Sequence, residues 1–205
     1  ALGERLKHFV YYSVMHPLRR EVRHHRLKLD CEEKLVASGL PYTIVQPIRY
    51  MQHLEPIWSE VIEKGVHAMP FNVDVKFNVA DLGDLAEAVA VTVCESAADM
   101  STVGKHLYAS YELAGPQALS QRDMARIITG EIGKPVTARA LTLDELRSRA
   151  MKMGSTVDRI DQMLSLNGHY DRHGFRGNPN VLQMILGREP VSFETYVRRL
   201  WNRTR

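Results

Sequence analysis

Two cysteines, Cys31 and Cys94, are all that this chain of 205 residues carries. They stand far apart and in no metal-ligand spacing, which argues against a disulfide framework or a thiolate metal site and points to a reducing, cytoplasmic setting. Long apolar runs are missing as well. No stretch approaches the ~18 residues of a membrane span, and the opening ALGERLKHF has no apolar core of a secretory signal. Charge of one sign is also scarce. The net charge of +3 is no footprint for nucleic acid, although it allows a weak bias toward anionic ligands. What remains is ordinary globular usage, 44% hydrophobic and 25% charged, in a chain long enough to bury roughly 70% of its unfolded surface without a staple.

The first readable unit is strand, helix, strand. Phe9 to Tyr12 is a short β-favouring run ending at Ser13. From Glu21 to Ser38, Leu27, Cys31 and Leu35 recur at helical spacing, and Gly39 is placed to cap the end. Tyr42 to Val45 resumes an apolar strand, stopped by Pro47. Such βαβ units lie parallel in a right-handed crossover. Further on, the pattern predicts a helix from Pro56 to Lys64, a strand pair or one irregular strand over Val66 to Ala80, and a helix from Asp81 through Cys94. A strand over His106 to Ser110, a helix opened by Ser120 and a strand from Val136 to Ala140 follow. A capping box at Thr142 and Glu145 starts another helix. Ser155 to Leu166 is helical in pattern, His169 to Asn180 reads as a surface loop or lid, and Ser192 to Arg203 as a final basic amphipathic helix. The expected fold is an α/β domain over residues 1–140 with a small, mostly helical C-terminal lobe, 141–205, packed on it.

Several pieces of text occur in one order: FVYYSVMHP at 9–17; HHRLK at 24–28 with Glu32 and Glu33; LPYTIVQP at 40–47 with Tyr50, Met51 and Gln52; DLGD at 81–84; and YELAGP at 111–116. As a set they resemble the NmrA-like branch of the atypical short-chain dehydrogenase/reductases, over residues 8 to about 140. The resemblance implies a Rossmann-type parallel sheet with a small substrate lobe, and NADP or NAD as cofactor. It also implies that Ser13 hydrogen-bonds a substrate oxygen and that Lys28 holds the nicotinamide ribose.

The sequence departs from that pattern in lacking a Gly-x-Gly-x-x-Gly turn after a strand, the turn that seats a pyrophosphate on a helix N-terminus. The expected sheet is therefore partial, a truncated Rossmann arrangement. The chain is either a fragment or a natural truncation without its dinucleotide; an initial Ala, compatible with removal of a start methionine, favours truncation. An uncovered sheet edge would then call for a homodimer.

The candidate catalytic residues are Ser13, His16, His24, His25 and Lys28. His24, Lys28 and Glu32 share one helical stripe, His24 and His25 point about 100° apart so that only one faces a site, and a histidine exchanges protons near neutral pH. Lys28 could equally pair with Glu32 on a plain surface helix, and Ser13 could simply satisfy a loop. Gln46, Tyr50, Gln52 and His53 are the candidate substrate-binding residues, with His169 to His173 as a lid contact. No histidine has a partner at convincing metal-ligand spacing. The expected function is cofactor-independent acid/base chemistry, of isomerase, dehydratase (lyase) or cyclase type, on a small apolar organic molecule. The alternatives are an NAD(P)-dependent oxidoreductase seen without its N-terminal half, and a non-catalytic redox-sensing or binding protein. No nucleic acid or membrane partner is expected.

Overall fold

The computed structural model describes residues 6–98 and 104–205; the first residues, on which the reading of the chain's start rests, lie outside them. In chain order the elements are β1 (Phe9–Tyr12), α1 (Arg23–Ala37), β2 (Tyr42–Pro47), β3 (Arg49–Tyr50), a 3-10 turn (Met51–Ile57), α2 (Trp58–Lys64), β4 (Val66–Met69), β5 (Phe77–Ala80) and α3 (Leu82–Ala98). They continue as β6 (Ala109–Leu113), β7 (Ala118–Leu119), α4 (Gln121–Ile132), β8 (Thr137–Ala140), α5 (Leu143–Lys152), α6 (Val157–His173), α7 (Asn180–Leu186) and α8 (Phe193–Thr204).

The first sheet is a parallel ribbon in the order β1-β2-β6, with Tyr11 opposite Ile44 and Val45 opposite Tyr111. Its central strand is buried from Thr43 to Pro47, as a strand covered on both faces must be. A second sheet, β3-β5-β7, starts one residue beyond the end of β2, and β4 pairs with β8 in a third. Among the described residues no helix is long and apolar enough to cross a membrane.

The core does not divide at residue 140. One buried cluster joins Val45, Phe77, Leu85 and Leu113 to Tyr170, Phe175 and Leu182. The other joins Trp58, Val61 and Ile128 to Phe193, Val197 and Leu200. The late helices are thus tied into the sheets, with α7 against α3 and β6, and α8 against α4.

Three expected elements differ. The segment 66–80 is not a hairpin: a turn at Asn72, whose Oδ1 accepts from Asp74 N at 3.0 Å, separates β4 from β5, and each strand pairs elsewhere. The strand expected at His106 begins at Ala109, because Leu107 closes a turn on the Gly104 carbonyl and Tyr108 sits at φ 60°. Of the loop expected over His169 to Asn180, the first part is the last turn of α6, which runs through His173 and is capped by Gly174, and 174–179 is non-helical as expected. That glycine has φ +65°, and an added Cβ would lie 2.9 Å from the Lys76 carbonyl oxygen. From there the chain threads beside β5: Phe175 bridges Phe77, and Asn78 N donates to the Phe175 carbonyl at 3.0 Å.

Gly115, between β6 and β7, lies directly against the backbone of β5. A Cβ added there would fall 1.8 Å from the Val79 carbonyl oxygen, so backbone rather than side chain would have to move. Replacing Gly115 by Ala is expected to cost about 3 kcal/mol in urea unfolding, at the upper end of overpacking costs. Gly130→Ala, in the last turn of α4 with nothing within 4 Å of the new methyl, is expected to stabilise by roughly 0.5–1 kcal/mol.

Candidate active site

Parallel sheets of this kind offer ligands the crevice beyond the carboxyl ends of their strands. β1 ends there in Ser13, which is 4% exposed and whose Oγ has no hydrogen-bond partner. The backbone beyond it is held by Ser13 N on the Val45 carbonyl (2.8 Å) and Met15 N on that of Pro47 (3.0 Å). It then turns through His16, which sits at φ 54°, a conformation few non-glycine residues adopt and one that marks a constrained loop. His16 is partly buried, its Nδ1 has no partner, and its Nε2 lies 3.7 Å from Glu112 Oε1. Desolvation lowers its pKa below the usual histidine value.

α1 brings Lys28 to the same place. Its Nζ donates to the Tyr12 carbonyl at 2.7 Å and lies 5.1 Å from the Tyr11 ring centroid. The alternative pairing with Glu32 is not formed. The buried Glu32 carboxylate instead accepts both of its close bonds, 3.0 and 2.9 Å, from Gln46 Nε2.

The two adjacent histidines separate sharply. His24 is exposed one turn before Lys28, and its pKa is lowered by desolvation and then by the lysine charge. His25 is fully buried, with Nδ1 2.8 Å from the His16 carbonyl oxygen and Nε2 2.7 Å from the Tyr170 hydroxyl. A carbonyl only accepts, so Nδ1 carries the proton, and Nε2 accepts from the tyrosine. Burial holds the imidazole pKa down to about 4, so it is neutral at physiological pH. His25 is therefore a strut tying α1, the His16 loop and α6 together. The Tyr170 ring, stacked 4.5 Å from Phe175, was legible in the sequence only as part of a supposed lid.

The four candidate substrate residues divide. Gln46 is committed to Glu32. Gln52 bridges Asp81 Oδ2 (3.0 Å) and Leu82 N (3.1 Å) at the start of α3 and faces a separate cleft with Glu55 and Arg203. Tyr50 and His53, with ring centroids 5.4 Å apart, line one small pocket. Arg49 lines it too and was missed by the sequence reading. Among the late residues, His169 packs against Arg19 and lies 3.4 Å from Glu21 Oε1. Among the described residues no group of three or more His, Cys, Asp or Glu is placed to hold a metal ion.

The NmrA-like family model matches residues 1–193. This chain belongs to the NmrA-like family. It is 28% identical over 167 residues to an NAD(P)H azoreductase of Xenophilus azovorans, covering 82% of this chain and 55% of that protein. It is 22% identical over 201 residues to quinone oxidoreductase 2 of Escherichia coli strain K12, covering 96% and 66%. Among solved structures, the NADPH-dependent quinone oxidoreductase of Escherichia coli superposes with TM-score 0.80 at 22% identity, over 96% of this chain and 68% of that one. The same enzyme complexed with NADPH also gives 0.80, covering 96% and 66%. Triphenylmethane reductase of Citrobacter sp. complexed with NADP(H) gives 0.77 at 17% identity, over 94% and 65%. This NmrA-like chain thus spans 55% to 66% of the length of the curated relatives it matches.

These relatives overturn two expectations. Cofactor-independent isomerase, lyase or cyclase chemistry finds no support among proteins that are NAD(P)H azoreductases and quinone oxidoreductases. The absence of a nicotinamide cofactor fails with it, since a structural neighbour is complexed with NADPH. The missing glycine-rich turn does not exclude a nucleotide, because the chain spans only 55% to 66% of the relatives' length.

The buried state of His25 makes stability pH-dependent. Its folded pKa of about 4 lies below an unfolded value of about 6.5, so the unfolded chain binds the extra proton between the two. Stability is then full above about 6.5 and falls as pH drops toward about 4. For this one group the loss approaches about 3 kcal/mol, at ~1.36 kcal/mol per pKa unit. Urea unfolding followed from pH 7.5 to 4 should show at least this fall, and His25→Gln should make it shallower by one group's share, the remainder coming from His53 and His67, which burial also holds down to about 4. Tyr170→Phe, which strips the donor from a buried acceptor, should cost about 1–3 kcal/mol at pH 7.5.

Proposed function

We propose that this chain forms the nicotinamide- and acceptor-facing part of an NAD(P)H-dependent reductase acting on quinone- or azo-type acceptors. The observation that carries the reading is the pairing, at the carboxyl end of β1, of an unpartnered buried Ser13 hydroxyl with a Lys28 ammonium anchored on the Tyr12 carbonyl. The named activities of the relatives support the same chemistry.

These residues fit one end of such a cofactor. Lys28 keeps two ammonium protons beyond the one given to Tyr12, enough to hold ribose hydroxyls, and Ser13 has a free O–H to orient an acceptor oxygen or nitrogen. The bound nicotinamide supplies hydride. The chain's part is to fix the acceptor beside it, to place positive charge where the acceptor gains electrons, and to deliver a proton. His16, half-buried at the same strand end beside Glu112, stands where it can relay a proton from solvent to a reduced acceptor.

The decisive assay follows NADPH and NADH absorbance in the protein that carries these residues, with menadione and a simple azo dye as acceptors. Acceptor-dependent oxidation of the nucleotide is expected, with Lys28→Met raising the KM for nucleotide and Ser13→Ala lowering kcat, each by roughly 10- to 100-fold. Absence of both nucleotide binding and acceptor-dependent oxidation would refute the reading.

A further inference from the structure

Arg49 is the one candidate-site residue whose charge has no explanation within the fold. It opens β3, is mostly buried, and its guanidinium lies 4.8 Å from the Phe71 ring centroid and 5.7 Å from that of Phe77. Cation–π contact of this kind accommodates a cation without neutralising it. The only side-chain hydrogen bond Arg49 makes among the described residues goes to a thioether, Met69 Sδ at 3.9 Å, and no carboxylate lies within ion-pair reach. Burial in this position pulls its pKa down to about 10, which still leaves it charged at neutral pH.

A second, separate observation lies in the same pocket. His67, on β4, is 3% exposed, and its Nδ1 is buried with no hydrogen-bond partner. Burial, then the Arg49 charge, keeps its imidazole neutral against a backbone hydrogen bond with Gln121, so the ring carries one proton and Nδ1 is free to exchange a hydrogen bond with a ligand. Buried polar atoms without partners are rare in folded proteins, and each calls for an occupant. Here a cation without a counter-ion and a histidine nitrogen without a partner line one opening, together with His53, Met69, Met124 and Phe193. None of its lining residues is Asp or Glu.

From this geometry we infer that the pocket between β3, β4 and α4 is an anion subsite that receives the carboxylate of an aromatic acceptor, gripped by the Arg49 fork and hydrogen-bonded by His67. The free volume, about 20 Å³, suits the charged head only. The ring to which it is attached lies outward, toward Tyr50, whose hydroxyl meets that of Tyr12 at the end of β1. The subsite therefore places the rest of the molecule toward Ser13 and Lys28. It rests on the reading of those strand ends as the acceptor site and narrows that reading from acceptors in general to anionic ones.

Benzoate tests the subsite without nucleotide, and benzyl alcohol serves as its neutral counterpart. Isothermal titration of the protein should show saturable benzoate binding and no matching binding of benzyl alcohol. Arg49→Met should weaken benzoate at least 10-fold while unfolding at the same or higher urea concentration, since it removes an uncompensated buried charge. The Arg49→Lys and His67→Phe variants should each weaken it several-fold, the first because a point charge cannot reproduce the planar fork, and both carry the test if the methionine variant fails to fold. No saturable benzoate binding, equal binding of the alcohol, or benzoate binding that survives Arg49→Met or the two milder variants would overturn the subsite. The nucleotide assay fails or succeeds separately: loss of NADPH oxidation with benzoate binding intact refutes the reductase and not the anion pocket.

Discussion

A single neutral imidazole holds the site in shape. His25 lies between an acceptor it cannot lose, the His16 carbonyl, and a donor it cannot replace, the Tyr170 hydroxyl. Because both bonds are buried, breaking either leaves a polar group without water or partner, and such groups are costly. Three segments distant in sequence, the loop after β1, the first helix and the end of α6, are thereby fixed to one another.

The strut works because the chain comes back. After α6 the backbone passes beside β5, and Phe175 fills the space among His16, His25 and Tyr170, with ring centroids 5.6, 5.9 and 4.5 Å away. Gly177 passes so close to Met15 that a Cβ would lie 2.6 Å from its thioether. Packing this close leaves no room for a side chain at position 177 without displacing Met15 or Ala114. The late segment is thus a wall of the site, and the crevice at the strand ends sits on the seam between the first two sheets.

The local pattern of the sequence carried most of the elements because most obey local rules. Ser120 and Thr142 cap their helices through the reciprocal bonds of capping boxes, and the strands of the first βαβ unit are parallel as expected. What local rules could not convey is which distant segment each strand meets. β4 and β5 are neighbours in sequence and partners of other strands, and the late loop reads as polar because only one side of that helical turn, the Tyr170 side, is buried. The site follows the same division. Ser13 and Lys28 are visible as types at the right spacing. Gln46 was legible as polar at a strand end, but its engagement with Glu32 depends on a helix face that no spacing specifies. Arg49 gave no signal, since an arginine after a strand is ordinary until its lack of a carboxylate is seen.

The histidines sharpen the chemical argument. His25 and His67 are held neutral by burial, with pKa values near 4, so neither contributes charge at physiological pH. The positive charge around the strand ends comes instead from Lys28 and Arg49, both fixed in place, one by a carbonyl and the other by two aromatic rings. A field built from such groups is preorganised: it is present before an acceptor arrives and needs no protonation step to appear. A reaction in which the substrate gains electrons draws on that arrangement directly, because negative charge develops where the positive charge already stands. A reaction that only shuttles protons would need titratable groups poised near neutrality, and burial has taken His25 out of that role.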